Sequence, residues 1–218
     1  MRSDRRGRLK GLYVITDPRL GGGHIQGARA ALQGGARIIQ LRDKEATTRQ
    51  LIEYAHALRT LTREYNALLI INDRLDVALA VEADGVHLGQ DDMPVLLARR
   101  VAGEELIIGV SAETVDEAIR AEVEGADYLG VGPMFTTATK PDAGMPIGPE
   151  RLREIKQHVS IPVFGIGGIT LGNAAQVLQA GADGLCVISA ILVAPNPMET
   201  TQQFITLLSM HPHTPHRK

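Results

Sequence analysis

The feature that most constrains this chain is an alternation that repeats eight times. From Leu12 onward, short apolar runs rich in β-branched residues give way to longer Ala/Leu/Glu/Arg segments, and the cycle starts again. The runs are LYVIT (12–16), RIIQL (37–41), ALLIIN (67–72), GVHL (85–88), LIIGV (106–110), DYLGV (127–131), IPVFGIG (161–167) and GLCVIS (184–189). They show little period-two alternation, as expected of parallel strands covered on both faces. The segments between them predict helices. One ends near Gly34–Gly35 and one runs from about Thr47 to Tyr65. The next covers Leu75–Val81, and another starts around Met93–Pro94. The rest cover Thr114–Glu124, Pro149–His158, Asn173–Gln179 and Met198–Ser209. Eight strand–helix units in 218 residues predict a closed (β/α)8 TIM barrel forming one α/β domain. The tags GGAR (34–37), EGAD (124–127) and AGAD (180–183) precede the second, sixth and eighth strands, each stopping a helix on Gly. An open doubly wound sheet is the rival. It would carry a Gly-rich turn directly after the first strand, whereas Gly21–Gly23 lies beyond the aspartate and proline that follow this one.

Composition narrows the function. A hydrophobic share of 44% fills one sizeable core, so residues 12–209 are read as the barrel. The basic leader 1–11 and the His/Pro-rich end 210–218 are read as disordered tails. A net charge of -2 and only 3% aromatics argue against nucleic-acid binding. No run is long enough to span a bilayer, and a cytoplasmic location is the default expectation. The single cysteine, Cys186, lies in an apolar run and reads as buried filler.

In such a barrel the chemistry gathers at the C-terminal ends of the strands. The residues there form two groups. GIGGI after the seventh strand brings Gly167 and Gly168, whose backbone N–H groups suit a monophosphate, opposite Ile188 and Ser189 after the eighth. The second group is charged: Arg42 and Lys44 in QLRDK, Asp73 in INDR, Asp92 (or Asp91) in HLGQDD, and Lys140 closing the loop GVGPMFTTATK. Adjacent strands lie ~4.8 Å apart, so two carboxylates can share one hard cation. Mg²⁺ takes one or two carboxylates and completes its shell with water and substrate phosphate. Cations around Mg²⁺ point to a polyphosphate. Each residue also has a plain structural alternative: Asp91 or Asp92 as a cap for the helix at Pro94, Asp73–Arg74 and Arg42–Asp43 as surface pairs, and His87 as a core histidine.

These segments resemble the thiamine phosphate synthase family, also called thiamine-phosphate pyrophosphorylases. YVITD, QLRDK, INDR, ADGVHLGQDD, GVSAET, ADYLGVGPMFTTATK, FGIGGI and GLCVISAI occur in the family's order across about Leu12 to Ile191. The resemblance implies coupling of hydroxymethylpyrimidine diphosphate to hydroxyethylthiazole phosphate, with Mg²⁺ as cofactor and pyrophosphate released. It implies that Gln40, Arg42, Lys44, Asn72, Ser111 and Lys140 contact the pyrimidine diphosphate. Of these, Lys140, Ser111 and Arg42 are expected to be catalytic. It implies that Thr137, Ala138, Thr139, Gly168, Ile188 and Ser189 bind the thiazole phosphate, and it selects Asp73 with Asp92 for Mg²⁺. GQDD stands where GQED is commoner. The family also suggests a homodimer acting on small molecules, without nucleic acid or membrane. The competing readings are a thiazole tautomerase-like barrel and a non-catalytic phosphate-ligand sensor.

Overall fold

The computed structural model describes residues 7–137 and 144–211. Its eight parallel strands close into one barrel in sequence order. They are β1 (Gly11–Ile15), β2 (Ile38–Leu41), β3 (Leu68–Asn72), β4 (Gly85–Leu88), β5 (Ile107–Ala112), β6 (Tyr128–Val131), β7 (Val163–Ile166) and β8 (Gly184–Val187). Helices α1 (His24–Gln33), α2 (Thr48–Glu64), α3 (Leu75–Ala80), α4 (Val95–Ala102), α5 (Val115–Val123), α6 (Gly148–His158) and α7 (Ala174–Gln179) cover the strands outside. A short α8 (Ser189–Leu192) precedes α9 (Pro197–Met210). β1 pairs with β8 through Gly11↔Gly184 to Val14↔Val187, which closes the ring.

Local chemistry sets several boundaries. Thr47 and Thr114 each cap a helix in a reciprocal capping box, with Gln50 and Glu117 as partners. Helix α4 starts at Val95, slightly later than the expected Met93–Pro94, with Pro94 at its N-cap and no side chain capping it. Two expectations need correction. GLCVIS does not stay extended: β8 ends at Val187 and Ser189 opens α8. Residues 7–11 also belong with the barrel rather than a loose leader: Gly11 opens β1 and Leu9 is buried against the barrel's inner residues.

Strand parity divides the core. Leu12, Val14, Ile39, Leu69, Ile71, Val86 and Leu185 face the helices. Tyr13, Ile15, Ile38, Leu68, Ile70, Ile107, Tyr128, Phe164 and Cys186 fill the interior. Large rings fit there because a neighbouring strand supplies glycine. A Cβ on Gly109 would stand 2.0 Å from Tyr128 Cζ, and one on Gly184 would stand 2.5 Å from Phe164 Cε1.

The Asp of the EGAD and AGAD tags has a structural task that also recurs before β4. Asp84, Asp127 and Asp183 each accept a backbone N–H from the start of the preceding strand, from Leu69, Ile108 and Val163 at 2.9, 2.8 and 2.7 Å. Each also meets a cation from the helix that leads into that preceding strand: Arg59 of α2 at 2.6 Å, Arg99 of α4 at 2.7 Å and Lys156 of α6 at 2.6 Å. One carboxylate thus ties strand, helix and strand together at the end of the barrel away from the strand C-termini. The pairs are buried, so the backbone N–H that each carboxylate accepts matters alongside its charge.

Candidate active site

Because all strands run parallel, the strand-end residues named from the sequence that are described lie on one face of the barrel. The interior below this face is filled. The small cavity there, about 20 Å³, is lined by Gln40, His87, Tyr128 and Gly130 among others. A ligand must therefore sit above the interior layer, at the mouth. The larger depression, about 340 Å³, lies at the opposite end beside Lys10, Arg37 and Asp183, away from these groups.

Where they are described, Asp73, Asp92, Lys44 and Arg42 lie close enough to act on one another. Asp73 follows β3 with φ 61°, a left-handed conformation that Asp tolerates better than most residues. Its N–H donates to the His87 carbonyl of β4 at 2.8 Å, which fixes the turn. Burial first, and then the neighbouring Asp92 carboxylate, raise its pKa to about 6, against the lowering effect of Lys44 and Arg42. Lys44 Nζ stands 3.9 Å from Asp73 Oδ2. Asp92 is half-buried, and its Oδ2 accepts the Gly89 N–H at 2.6 Å. Asp91 is exposed.

The structural alternatives for this group do not hold. Neither Asp91 nor Asp92 caps α4. Arg74 pairs with Asp76 at 2.6 Å, not with Asp73. Asp43 pairs not with Arg42 but with His24, whose Nε2 is 3.2 Å away. His24 Nδ1 in turn meets Thr16 Oγ1 at 2.7 Å. That buried Thr16–His24–Asp43 chain braces the loop that carries Arg42 and Lys44. Sequence reasoning missed it, because nothing in HIQGARAAL marks its first residue as the neighbour of a loop nineteen residues later.

Two carboxylates crowded closely enough to raise a pKa form a site that a divalent cation would relieve. Among the described residues no three His, Cys, Asp or Glu side chains come together. Two carboxylates are fewer protein donors than a closed metal cage supplies.

The neutral contacts split by depth. Gln40 is buried, and its Nε2 donates to Tyr13 OH at 2.7 Å. Asn72 ends β3 half-buried, on the inward parity of Leu68 and Ile70. Ser111 lies within β5, its Oγ 3.0 Å from His87 Nε2. Gln90 reaches across from the β4 loop to the Ser111 carbonyl at 2.7 Å. His87 thus points into the barrel and joins the site through Ser111. Burial drives the Tyr13 and Tyr128 hydroxyls well above their usual pKa, so both stay protonated. Burial also pushes the Cys186 thiol up, which leaves it inert.

Gly167 and Gly168 adopt φ 95° and 64°. A Cβ on Gly167 would lie 2.7 Å from Pro133 Cβ, and one on Gly168 would lie 2.6 Å from the Thr136 carbonyl oxygen. Phe135 N–H donates to the Gly167 carbonyl at 3.0 Å. The β7 glycines therefore let the β6 loop lie against them, which brings half-buried Thr137 to the same face as Gly168. Ile188 and Ser189, both half-buried, form the turn into α8. Ala138, Thr139 and Lys140 lie outside the described residues.

The comparisons decide the lineage. The family model described as "Thiamine monophosphate synthase" matches residues 12–191. The chain belongs to that family. The thiamine-phosphate synthase of Chloroflexus aurantiacus is 56% identical over 201 residues, 91% of this chain and 93% of its own. That of Moorella thermoacetica is 57% identical over 185 residues, 84% of this chain and 88% of its own. The solved structure of thiamine phosphate pyrophosphorylase from Pyrococcus furiosus superposes with a TM-score of 0.87. It is 48% identical and covers 94% of this chain and 98% of its own. The resemblance carried by the strand-end motifs and the closed barrel agree with these relatives.

Proposed function

We propose that the chain is a thiamine-phosphate synthase, a transferase that joins hydroxymethylpyrimidine diphosphate to hydroxyethylthiazole phosphate and releases pyrophosphate. Family membership supports the reaction. The observation that carries the site assignment is the Asp73–Asp92 pair at the mouth, flanked by Lys44 and Arg42, with the Gly168 turn on the other side of the ring.

In this reading Arg42, Lys44 and Lys140 hold the diphosphate, together with Gln40, Asn72 and Ser111. Thr137, Ala138, Thr139, Gly168, Ile188 and Ser189 hold the thiazole phosphate. Asp73 and Asp92 would hold Mg²⁺, which when bound neutralises charge on the leaving diphosphate. Arg42 and Lys140 offset the negative charge that grows on the leaving oxygen, and Ser111 donates a hydrogen bond to it. The aminopyrimidine carries the complementary positive charge, so a dissociative departure is favoured. The thiazole nitrogen then attacks with a lone pair that needs no deprotonation. That fits a site whose polar groups are donors and metal carboxylates, with catalysis by positioning. No helix among the described residues is long and apolar enough to cross a membrane. The reading also includes a homodimer, which the mass in solution would test.

Purified protein mixed with both substrates and Mg²⁺ should release pyrophosphate and thiamine phosphate in equal amounts. Pyrophosphate without thiamine phosphate, or no reaction at all, would sink the assignment.

A further inference from the structure

We infer that His87 is a positioning residue for the Ser111 hydroxyl, held in its Nε2–H tautomer by a hydrogen-bonded chain that starts at Gln40 and crosses the barrel through Tyr13 and Tyr128. The inference rests on the reading that Ser111 faces the diphosphate, and it goes beyond that reading in naming what aims the hydroxyl.

The chain has four links. Gln40 Nε2 donates to Tyr13 OH at 2.7 Å. Tyr13 OH meets Tyr128 OH at 2.9 Å. Tyr128 OH meets His87 Nδ1 at 3.0 Å, and His87 Nε2 meets Ser111 Oγ at 3.0 Å. An amide nitrogen can only donate, and each hydroxyl has one proton. Tyr13 accepts from Gln40 and donates its own O–H to Tyr128, since that proton would otherwise be unbonded in the apolar interior, and Tyr128 in turn donates to His87. Nδ1 is then the acceptor, so the proton of the neutral imidazole sits on Nε2. Ser111 Oγ accepts that proton and is left with its own O–H directed to the mouth. One amide orientation thus turns an ambiguous serine rotor into a donor aimed at an anion.

The barrel is built around these groups. The interior is otherwise apolar, where an unbonded tyrosine or histidine would be costly. A Cβ on Gly109 would overlap the Tyr128 ring, and one on Gly130 would stand 3.1 Å from His87 Cε1. Two strands therefore give up side chains to admit this pair of rings. The rings also touch, with centroids 5.5 Å apart, which limits rotation of the imidazole. A preset donor needs no reorganisation as charge develops on the leaving group. Its loss should therefore lower kcat and spare KM.

Two measurements test the inference. Long-range ¹H–¹⁵N spectra of histidine-labelled protein, with the His87 signal identified by its absence in His87→Gln, should show a protonated Nε2 and a bare Nδ1. In Tyr128→Phe that preference should weaken. In the coupling assay, His87→Leu and Tyr128→Phe should each lower kcat roughly fivefold, the equivalent of one hydrogen bond of about 1 kcal/mol. KM for both substrates should change by less than about twofold, and His87→Gln should restore most of the rate by supplying an amide donor. In a Ser111→Ala background the same changes should cost almost nothing further. A protonated Nδ1 in the wild type would overturn the inference, and so would losses that persist in full without the Ser111 hydroxyl. If His87→Leu does not fold, Tyr128→Phe, which deletes one oxygen, decides the kinetic arm. The spectra require no substrate, so a failure of the proposed reaction would be seen separately from a failure of the chain.

Discussion

Replacing Asp92 with Asn should stabilise this protein at neutral pH while disabling it. Burial and then the Asp92 charge raise the Asp73 pKa to about 6 from an ordinary 3.8. The folded state therefore holds a proton between those values that the unfolded state has released. Stability from this group falls as pH rises from about 4 through about 6, and the full penalty applies above that range. The displacement corresponds to at most about 3 kcal/mol. The Asp73 side chain is 25% exposed and Lys44 stands beside it, so screening should cut the figure to about 1–1.5 kcal/mol. Asp92→Asn removes the carboxylate repulsion but keeps an oxygen for the Gly89 N–H. We expect it to raise stability by about 0.5–1 kcal/mol near pH 7.5, or roughly 2–3 °C in Tm for a chain of this size. The variant and the wild type should coincide near pH 4, where Asp73 is protonated in both. Calorimetric melts of chelator-treated protein across this pH range are the assay. Millimolar Mg²⁺ should raise the wild-type Tm more at high pH than near pH 5, and should raise the variant's less. Superimposable curves from pH 4 to pH 8, or a variant less stable at pH 7.5, would show that the two carboxylates do not oppose each other.

Three further outcomes are expected. Gly168→Val should raise KM for the thiazole phosphate and leave that for the diphosphate nearly unchanged. It should also lower Tm, since φ 64° and a Cβ 2.6 Å from the Thr136 carbonyl both resist a side chain; steady-state kinetics and a melt on one preparation check both. Lys140→Ala should cut the coupling rate strongly but weaken thiazole phosphate binding less, as calorimetric titration would show; equal losses would move Lys140 to the other substrate. Asp127→Ala should destabilise by about 3–5 kcal/mol, because it leaves the Arg99 cation and the Ile108 N–H facing a buried gap; urea unfolding measures this, and a loss below about 1 kcal/mol would mean that water replaces the carboxylate.

Much of this protein is legible in its sequence, for a local reason. Strand and helix are set by nearest-neighbour periodicity and by glycines and caps within a few residues, so eight units, and hence a barrel, can be counted directly. The mouth residues follow because parallel strands place every C-terminal end on one face. GVHL even assigns His87 to the face opposite Val86 and Leu88, since strand parity is local. The sequence does not say what an inward side chain meets. Tyr13 and Tyr128 stand 115 residues apart and touch only because ring closure and register bring β1 and β6 across one interior. The same holds for Thr16–His24–Asp43 and for the aspartates of the recurring tags, whose glycines mark a turn while their carboxylates reach a strand and a helix behind it. Which residues stand at the strand ends was thus determined by the sequence alone. The raised pKa of Asp73, the direction of the Ser111 hydroxyl and the turn of Ile188–Ser189 into a helix were decided by tertiary structure, because each depends on burial and on partners that only barrel closure brings within hydrogen-bond range.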